Sequence, residues 1–174
     1  CLDAADGKLL WEHTYPADYS PMDQAYAVGP RATPTVEGNR VYAVGAVGKL
    51  LCLEPPAGPG PPRVVWEHDL AAEFPGSVPQ WGVACSPLVE GDLVIVQPGG
   101  SRGAVAAFDK ATGQLRWAAG TNPPGYSSPV AATVGVAGCS QGGGSTDTTA
   151  GQNVAATTGC ASKGELTMWE RSGG

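Results

Sequence analysis

One unit recurs four times along this chain, and that recurrence narrows the fold more than any single motif. Aligned on tryptophan, the copies read LDAADGKLLW (residues 2–11), LEPPAGPGPPRVVW (53–66), FDKATGQLRW (108–117) and the much eroded ASKGELTMW (161–169). The tryptophans lie 55, 51 and 52 residues apart. A second marker keeps the same phase: TPTVEGNRVYAV from Thr33 and SPLVEGDLVIVQ from Ser86, offset by 53, with SSPVAATV from Ser127 opening a third copy. Two independent markers sharing one period define a structural repeat rather than a coincidence.

Each unit reads as four short β-strands. In one copy these are expected over residues 35–37, 40–44, 50–54 and 63–66, and in the next over 84–89, 93–97, 104–108 and 114–117. Short runs rich in Val and Ile, separated by Gly, Asn and Asp, are the chemistry of hairpins. No window carries a helical stripe for three turns. Gly 26 and Pro 16, together near a quarter of the chain, favour tight turns over long helices. The expected fold is all-β: a propeller of four-stranded antiparallel blades, about three of them in this chain.

The conserved spacing inside the unit has a physical reading. Asp3 and Asp109 close the third strand, where a carboxylate accepts backbone N–H groups from the turn that follows. Gly7 and Gly113 stand four residues before a tryptophan, where the turn needs left-handed backbone angles. Glu54 replaces the aspartate in the second copy, and PPAGPGPP widens that turn. Trp11, Trp66, Trp117 and Trp169 are expected to dock each blade on its neighbour, each ring offering roughly 150–250 Å² of flat surface.

The LDAADGKLLW and FDKATGQLRW units resemble the repeat of the pyrroloquinoline-quinone-type β-propellers, and most of all their non-catalytic branch, which includes the outer-membrane assembly lipoprotein. The resemblance covers residues 1–134. It implies blades belonging to a larger ring, and a non-catalytic scaffold or protein-binding module of the bacterial cell envelope or periplasm rather than an enzyme. The alternative it implies is a fragment of a pyrroloquinoline-quinone-dependent dehydrogenase, whose relatives bury that cofactor with calcium at the propeller centre. Residues 135–174 depart from the pattern: a Gly/Ser/Thr-rich stretch without aromatic residues occupies 135–164, as a divergent or degenerate blade would.

Bulk properties exclude several classes. A net charge of -6, with no Lys/Arg cluster, argues against nucleic acid as a partner. No run of 18 apolar residues predicts a transmembrane segment, and the residues after Cys1 do not read as a signal peptide. A first-position cysteine is also compatible with a lipidated mature terminus. The five cysteines (1, 52, 85, 139 and 160) form no zinc or haem spacing and no adjacent pair of the kind that packs on the cofactor in quinone dehydrogenases.

The tripeptide Trp-Glu-His occurs twice, ending at His13 and His68. These are equivalent positions of successive blades, related by rotation, and are expected at blade edges or interfaces rather than on one metal. Glu54, Asp92, Asn122 and Arg102 are the scattered candidates for holding calcium and quinone carboxylates, without forming a motif. No catalytic, cofactor or metal residue is therefore assigned. PGGSRG (98–103) reads as a hairpin, not a phosphate loop. The long connections 15–33 and 70–86 carry aromatic residues, of which Tyr26 and Trp81 are the candidates for binding a protein partner. An open array with two terminal blade faces points to such a partner or to self-association.

Overall fold

The computed structural model describes residues 1–23, 28–76 and 78–132 and the backbone of 154–155 and 168–169. Two four-stranded antiparallel sheets dominate it, each in simple sequential order. The first comprises β1 (Thr35–Glu37), β2 (Arg40–Val44), β3 (Lys49–Glu54) and β4 (Arg63–Asp69). A single helical turn, α1 (Leu70–Glu73), leads out of it, and the second sheet comprises β5 (Leu88–Glu90), β6 (Leu93–Val96), β7 (Val105–Asp109) and β8 (Leu115–Ala119). Later in the chain β9 (Val154–Ala155) pairs with β10 (Met168–Trp169). The first copy of the repeat is represented by a bridge between Leu2 and Leu9.

The two sheets copy each other closely. β1 and β2 join through a two-residue loop whose first residue is Gly38, and β5 and β6 through one that starts at Gly91; both glycines have φ 56°. Primed two-residue turns require such positive angles. A register shift falls between Cys52 and Leu53 on β3 and between Ala107 and Phe108 on β7, so even the irregularity recurs in place.

Alternation along the strands sets the packing. Tyr42, Val44, Leu50, Cys52 and Trp66 point from the first sheet into one buried cluster with Val94, Val96, Ala106 and Phe108 of the second. The opposite face of the second sheet gathers Ile95, Val105 and Ala107 with Trp117 against them. The blades thus stack face to face. Burial pushes the Tyr42 hydroxyl up to about 12 and raises the Cys52 thiol, so both are neutral inside this layer.

Several strand bounds shift by one or two residues from the sequence expectation, and three larger differences have a physical reason. β5 starts at Leu88, four residues later than expected, because Pro87 carries no N–H and its carbonyl accepts from Thr35 Oγ1 (2.5 Å) across the blades. β4 runs on to Asp69 because it pairs with β3 as far as Lys49. α1 falls in the connection 70–86 and forms because Asp69 caps it by accepting the Ala72 N–H at 3.1 Å.

Gly113 and Gly7 separate two costs of the repeat turn. Both have positive φ, 77° and 73°, but a Cβ on Gly113 would meet Trp66 Cγ at 2.7 Å whereas one on Gly7 would meet nothing within 4 Å. Left-handed strain costs about 1–2 kcal/mol and overpacking about 1–3 kcal/mol more. Gly113→Ala should therefore lower the urea midpoint distinctly more than Gly7→Ala, and equal midpoints would show that the seam does not depend on this close approach.

Candidate functional site

The site that the geometry builds most fully is the seam between the two blades. Asp109, at the end of β7, accepts the N–H of Ala111 (3.0 Å), the N–H of Thr112 (2.8 Å) and the Thr112 hydroxyl (2.9 Å), while Arg116 donates to its other oxygen at 2.6 Å. Gly113 N–H closes the turn on the Asp109 carbonyl at 2.8 Å. The first repeat shows the same turn: Asp3 accepts the Ala5 N–H (2.7 Å), and Gly7 donates to the Asp3 carbonyl (2.8 Å). The Arg116 guanidinium, helped by the Thr112 and Ala111 donors, holds the Asp109 carboxyl well below the usual carboxylate range.

This turn presents the Lys110 and Gly113 carbonyls to the preceding blade. The Lys110 oxygen accepts from Trp66 Nε1 and from the Tyr42 hydroxyl, each at 3.1 Å. The Trp66 ring is buried against Gly113 and tilts on Tyr42 with centroids 5.9 Å apart. At the other edge of the sheets, Thr33 N–H donates to the Ser86 hydroxyl (2.9 Å) and Ser86 N–H to the Ser128 hydroxyl (3.0 Å). These residues occupy equivalent places in successive repeats, so this rung also recurs.

The remaining candidates fall in different places. Trp117 is half-buried beside Ile95 and Ala107. Trp11 stands with Tyr15 and His13 over a groove of about 510 Å³, floored by Val36, Val41 and Leu51 on the free face of the first sheet. Trp169 lies in β10, its side chain outside the description, and Tyr26 lies outside the described residues. Trp81 is half-buried in the connection between blades, and its N–H donates to the Tyr126 hydroxyl at 3.3 Å.

The oxygen and arginine candidates for a calcium–quinone site are not brought together. Glu54 binds Arg40 (2.8 Å) and Arg63 (2.6 Å), Asp92 lies exposed 3.8 Å from Lys110, Arg102 donates to the Glu73 backbone carbonyl, and the Asn122 carbonyl accepts from Gly100. Among the described residues no three His, Cys, Asp or Glu side chains cluster as metal ligands. The described residues of this segment do not by themselves fit the quinone and its calcium. No helix among them is long and apolar enough to cross a membrane.

Sequence reasoning missed the Lys110 carbonyl, because a backbone acceptor carries no residue signature. It also missed Tyr42 and Glu73. Tyr42 was legible in principle as an aromatic residue inside an otherwise aliphatic strand.

Comparison with known proteins gives these features a context. The family described as outer membrane protein assembly factor BamB matches residues 1–174, and the chain belongs to that family of β-propellers. The dehydrogenase subunit of the quinone alcohol dehydrogenase of Gluconacetobacter polyoxogenes is 31% identical over 145 residues, covering 76% of this chain and 18% of that protein. A solved europium-containing methanol dehydrogenase aligns with a TM-score of 0.46 and 18% identity, over 67% of this chain and 20% of that one. The chain thus spans about a fifth of the length of these two proteins. The expectation that the protein is not an enzyme is corrected by the quinone dehydrogenase match, in which the chain aligns with about a fifth of the relative's length.

Two measurements check the seam. Trp66→Ala should cost about 3–5 kcal/mol, since it removes a buried ring and leaves a cavity, and Trp81→Ala far less; comparable urea midpoints would refute that division. Asp109 has a lowered carboxyl pKa, so its contribution is present above the unfolded value of about 3.9 and is lost as pH falls further. Asp109→Asn should therefore be less stable than wild type near neutrality, with the gap closing in acid; a pH-independent gap would contradict this.

Proposed function

We propose that this chain forms part of the propeller of a quinone-dependent dehydrogenase, with an alcohol as the substrate class. The observation that carries the reading is the 31% identity to the dehydrogenase subunit of a quinone alcohol dehydrogenase over 76% of the chain. The repeat supports it, since two closely copied blades joined at both edges are what a larger ring is assembled from. The residues present do not make a catalytic centre by themselves: Glu54 is engaged by Arg40 and Arg63 and Arg102 by the Glu73 carbonyl, while Asp92 is exposed beside Lys110. The segment's part is to supply wall and spacing.

On this reading residues 1–134 are the propeller repeat region and 135–174 a divergent blade. Trp11, Trp66, Trp117 and Trp169 act as blade-docking residues, supported by the Asp3–Gly7 and Asp109–Gly113 turns. The groove beneath Trp11 has the same place on the first sheet as Val94, Val96, Ala106 and Phe108 have on the second, where a neighbouring blade covers them. A further blade, supplied by the same polypeptide or a partner, is its natural cover. Trp81 and Tyr26 are the loop residues assigned to protein contact, and the cell envelope or periplasm is the assigned location, supported by the family's outer-membrane description.

The intact polypeptide that carries these blades provides the test. Supplied with pyrroloquinoline quinone and calcium, it should form a stoichiometric complex and reduce an artificial dye in the presence of alcohol. A protein that binds no quinone and reduces no dye with any alcohol would overturn the proposal.

A further inference from the structure

His68 occupies the second Trp-Glu-His tripeptide, and its surroundings give that motif a role of its own. The ring leaves β4 just before α1 and reaches across the seam. Its Nδ1 lies 2.9 and 3.0 Å from the two carboxylate oxygens of Glu73 on α1, and its Nε2 lies 2.7 Å from the carbonyl oxygen of Gly113 on the neighbouring blade. The ring rests on Phe108 with centroids 4.5 Å apart and meets the edge of Trp66 at 5.8 Å. Both nitrogens therefore face oxygens that only accept. A neutral imidazole carries one N–H and one lone pair, while an imidazolium carries two N–H groups. Only the protonated ring satisfies both contacts together; the neutral ring turns a lone pair toward either a carboxylate or a carbonyl.

From this geometry we propose that His68 is a proton-operated clasp between the two blades, closed when the ring is charged and loosened when it is neutral. The clasp grips three things at once. It holds the turn that carries Gly113 and the Lys110 acceptor, it holds the seam beside Trp66, and through Glu73 it holds α1. Because α1 begins the connection that carries Trp81 to β5, the same proton governs how firmly that connection is held to the blades. Histidine as a residue type changes charge between about pH 5 and 8, and that interval sets the window over which the clasp is tested.

The groups that face the ring support one sign of response. From α1 the facing group is the Glu73 carboxylate; from the neighbouring blade they are the Gly113 carbonyl and the Phe108 ring; from its own sheet they are Trp66 and the cross-strand Leu50, neither of which titrates in this range. Asp69 is engaged in capping α1 and Lys49 in pairing with Glu67 (2.6 Å). Arg102, over Phe74, donates to the backbone carbonyl of Glu73 rather than to its carboxylate. Lys110 directs its ammonium to Glu37 and the Gly91 carbonyl. Raising the pH removes one donor and no acceptor, so the seam weakens as pH rises.

The test compares wild type with His68→Gln and Glu73→Gln in the full 174-residue chain. The wild-type urea midpoint should fall by about 0.5 M on going from about pH 6 to pH 8, the size expected for one lost hydrogen bond. His68→Gln should lose that fall, and Glu73→Gln should reduce it. His13, the other histidine, contributes equally to all three and cancels. Ring nitrogen-15 spectra of wild type keep the question open to test even if a variant does not fold: the His68 ring should show two protonated nitrogens at the lower pH and lose one as the midpoint falls. An identical pH profile in wild type and His68→Gln, or a His68 ring that titrates without any change in the wild-type midpoint, would overturn the clasp.

Discussion

The rest of the structure depends on one backbone oxygen. The Lys110 carbonyl accepts the indole N–H of Trp66 and the hydroxyl of Tyr42, and it can do so because Asp109 and Gly113 hold its turn in shape. Remove the Asp109 carboxylate and the turn loses four donors' common acceptor. Add a side chain at Gly113 and the Trp66 ring has nowhere to lie. The Asp-to-Gly spacing and the tryptophan are thus two halves of one joint: one blade makes the socket, and the preceding blade fills it. Two polar groups enter an otherwise apolar layer there, and both are satisfied, as burial demands.

The joint would pivot if it stood alone. It does not, because the hydroxyl rungs Thr33–Ser86 and Ser86–Ser128 pin the opposite edge of the blades. Between the two edges lies the buried layer of Tyr42, Val44, Leu50 and Cys52 against Val94, Val96, Ala106 and Phe108. Small residues recur on the receiving side of that layer, as Ala106 shows, so the tyrosine and tryptophan of the other blade can sink into it. Polar joints at both edges fix angle and register, and the apolar layer supplies the adhesion. A repeated angle between blades is what allows an array to close.

Much of this was legible in the sequence because the repeat reports it twice. Val36, Glu37 and Gly38 marked the first hairpin, and the same letters one period on, Val89, Glu90 and Gly91, marked the second. The Asp109 turn was legible from chemistry: a carboxylate four residues before glycine needs N–H groups to accept. What escaped were features without a periodic signature. The helical turn at Leu70 is too short for a hydrophobic stripe and exists because Asp69 caps it. The Glu73 partner of His68 lies on that same turn, so its place could not be read without it. The Lys110 oxygen belongs to the backbone and has no letter. Function was less legible still, since the residues that resemblance to quinone enzymes made attractive, Glu54, Asp92, Asn122 and Arg102, are dispersed by the blade geometry.

That dispersal has its own logic. In a propeller each blade presents only its inner strand and its connecting loops to the centre, while most of its side chains must hold neighbours at a constant angle. The charged residues of this segment follow that division: Arg116 is spent on Asp109, Arg63 and Arg40 on Glu54, Lys110 on Glu37, and Arg102 on the α1 backbone. Identity to a dehydrogenase subunit can therefore be carried by residues that never approach a substrate, since the spacing they enforce decides where the central groups of a ring stand. A displacement of about 1 Å at a reacting centre can cost a hundredfold in rate. On the function proposed above, the Trp66–Lys110 joint, though far from chemistry in kind, would set the precision with which the propeller works.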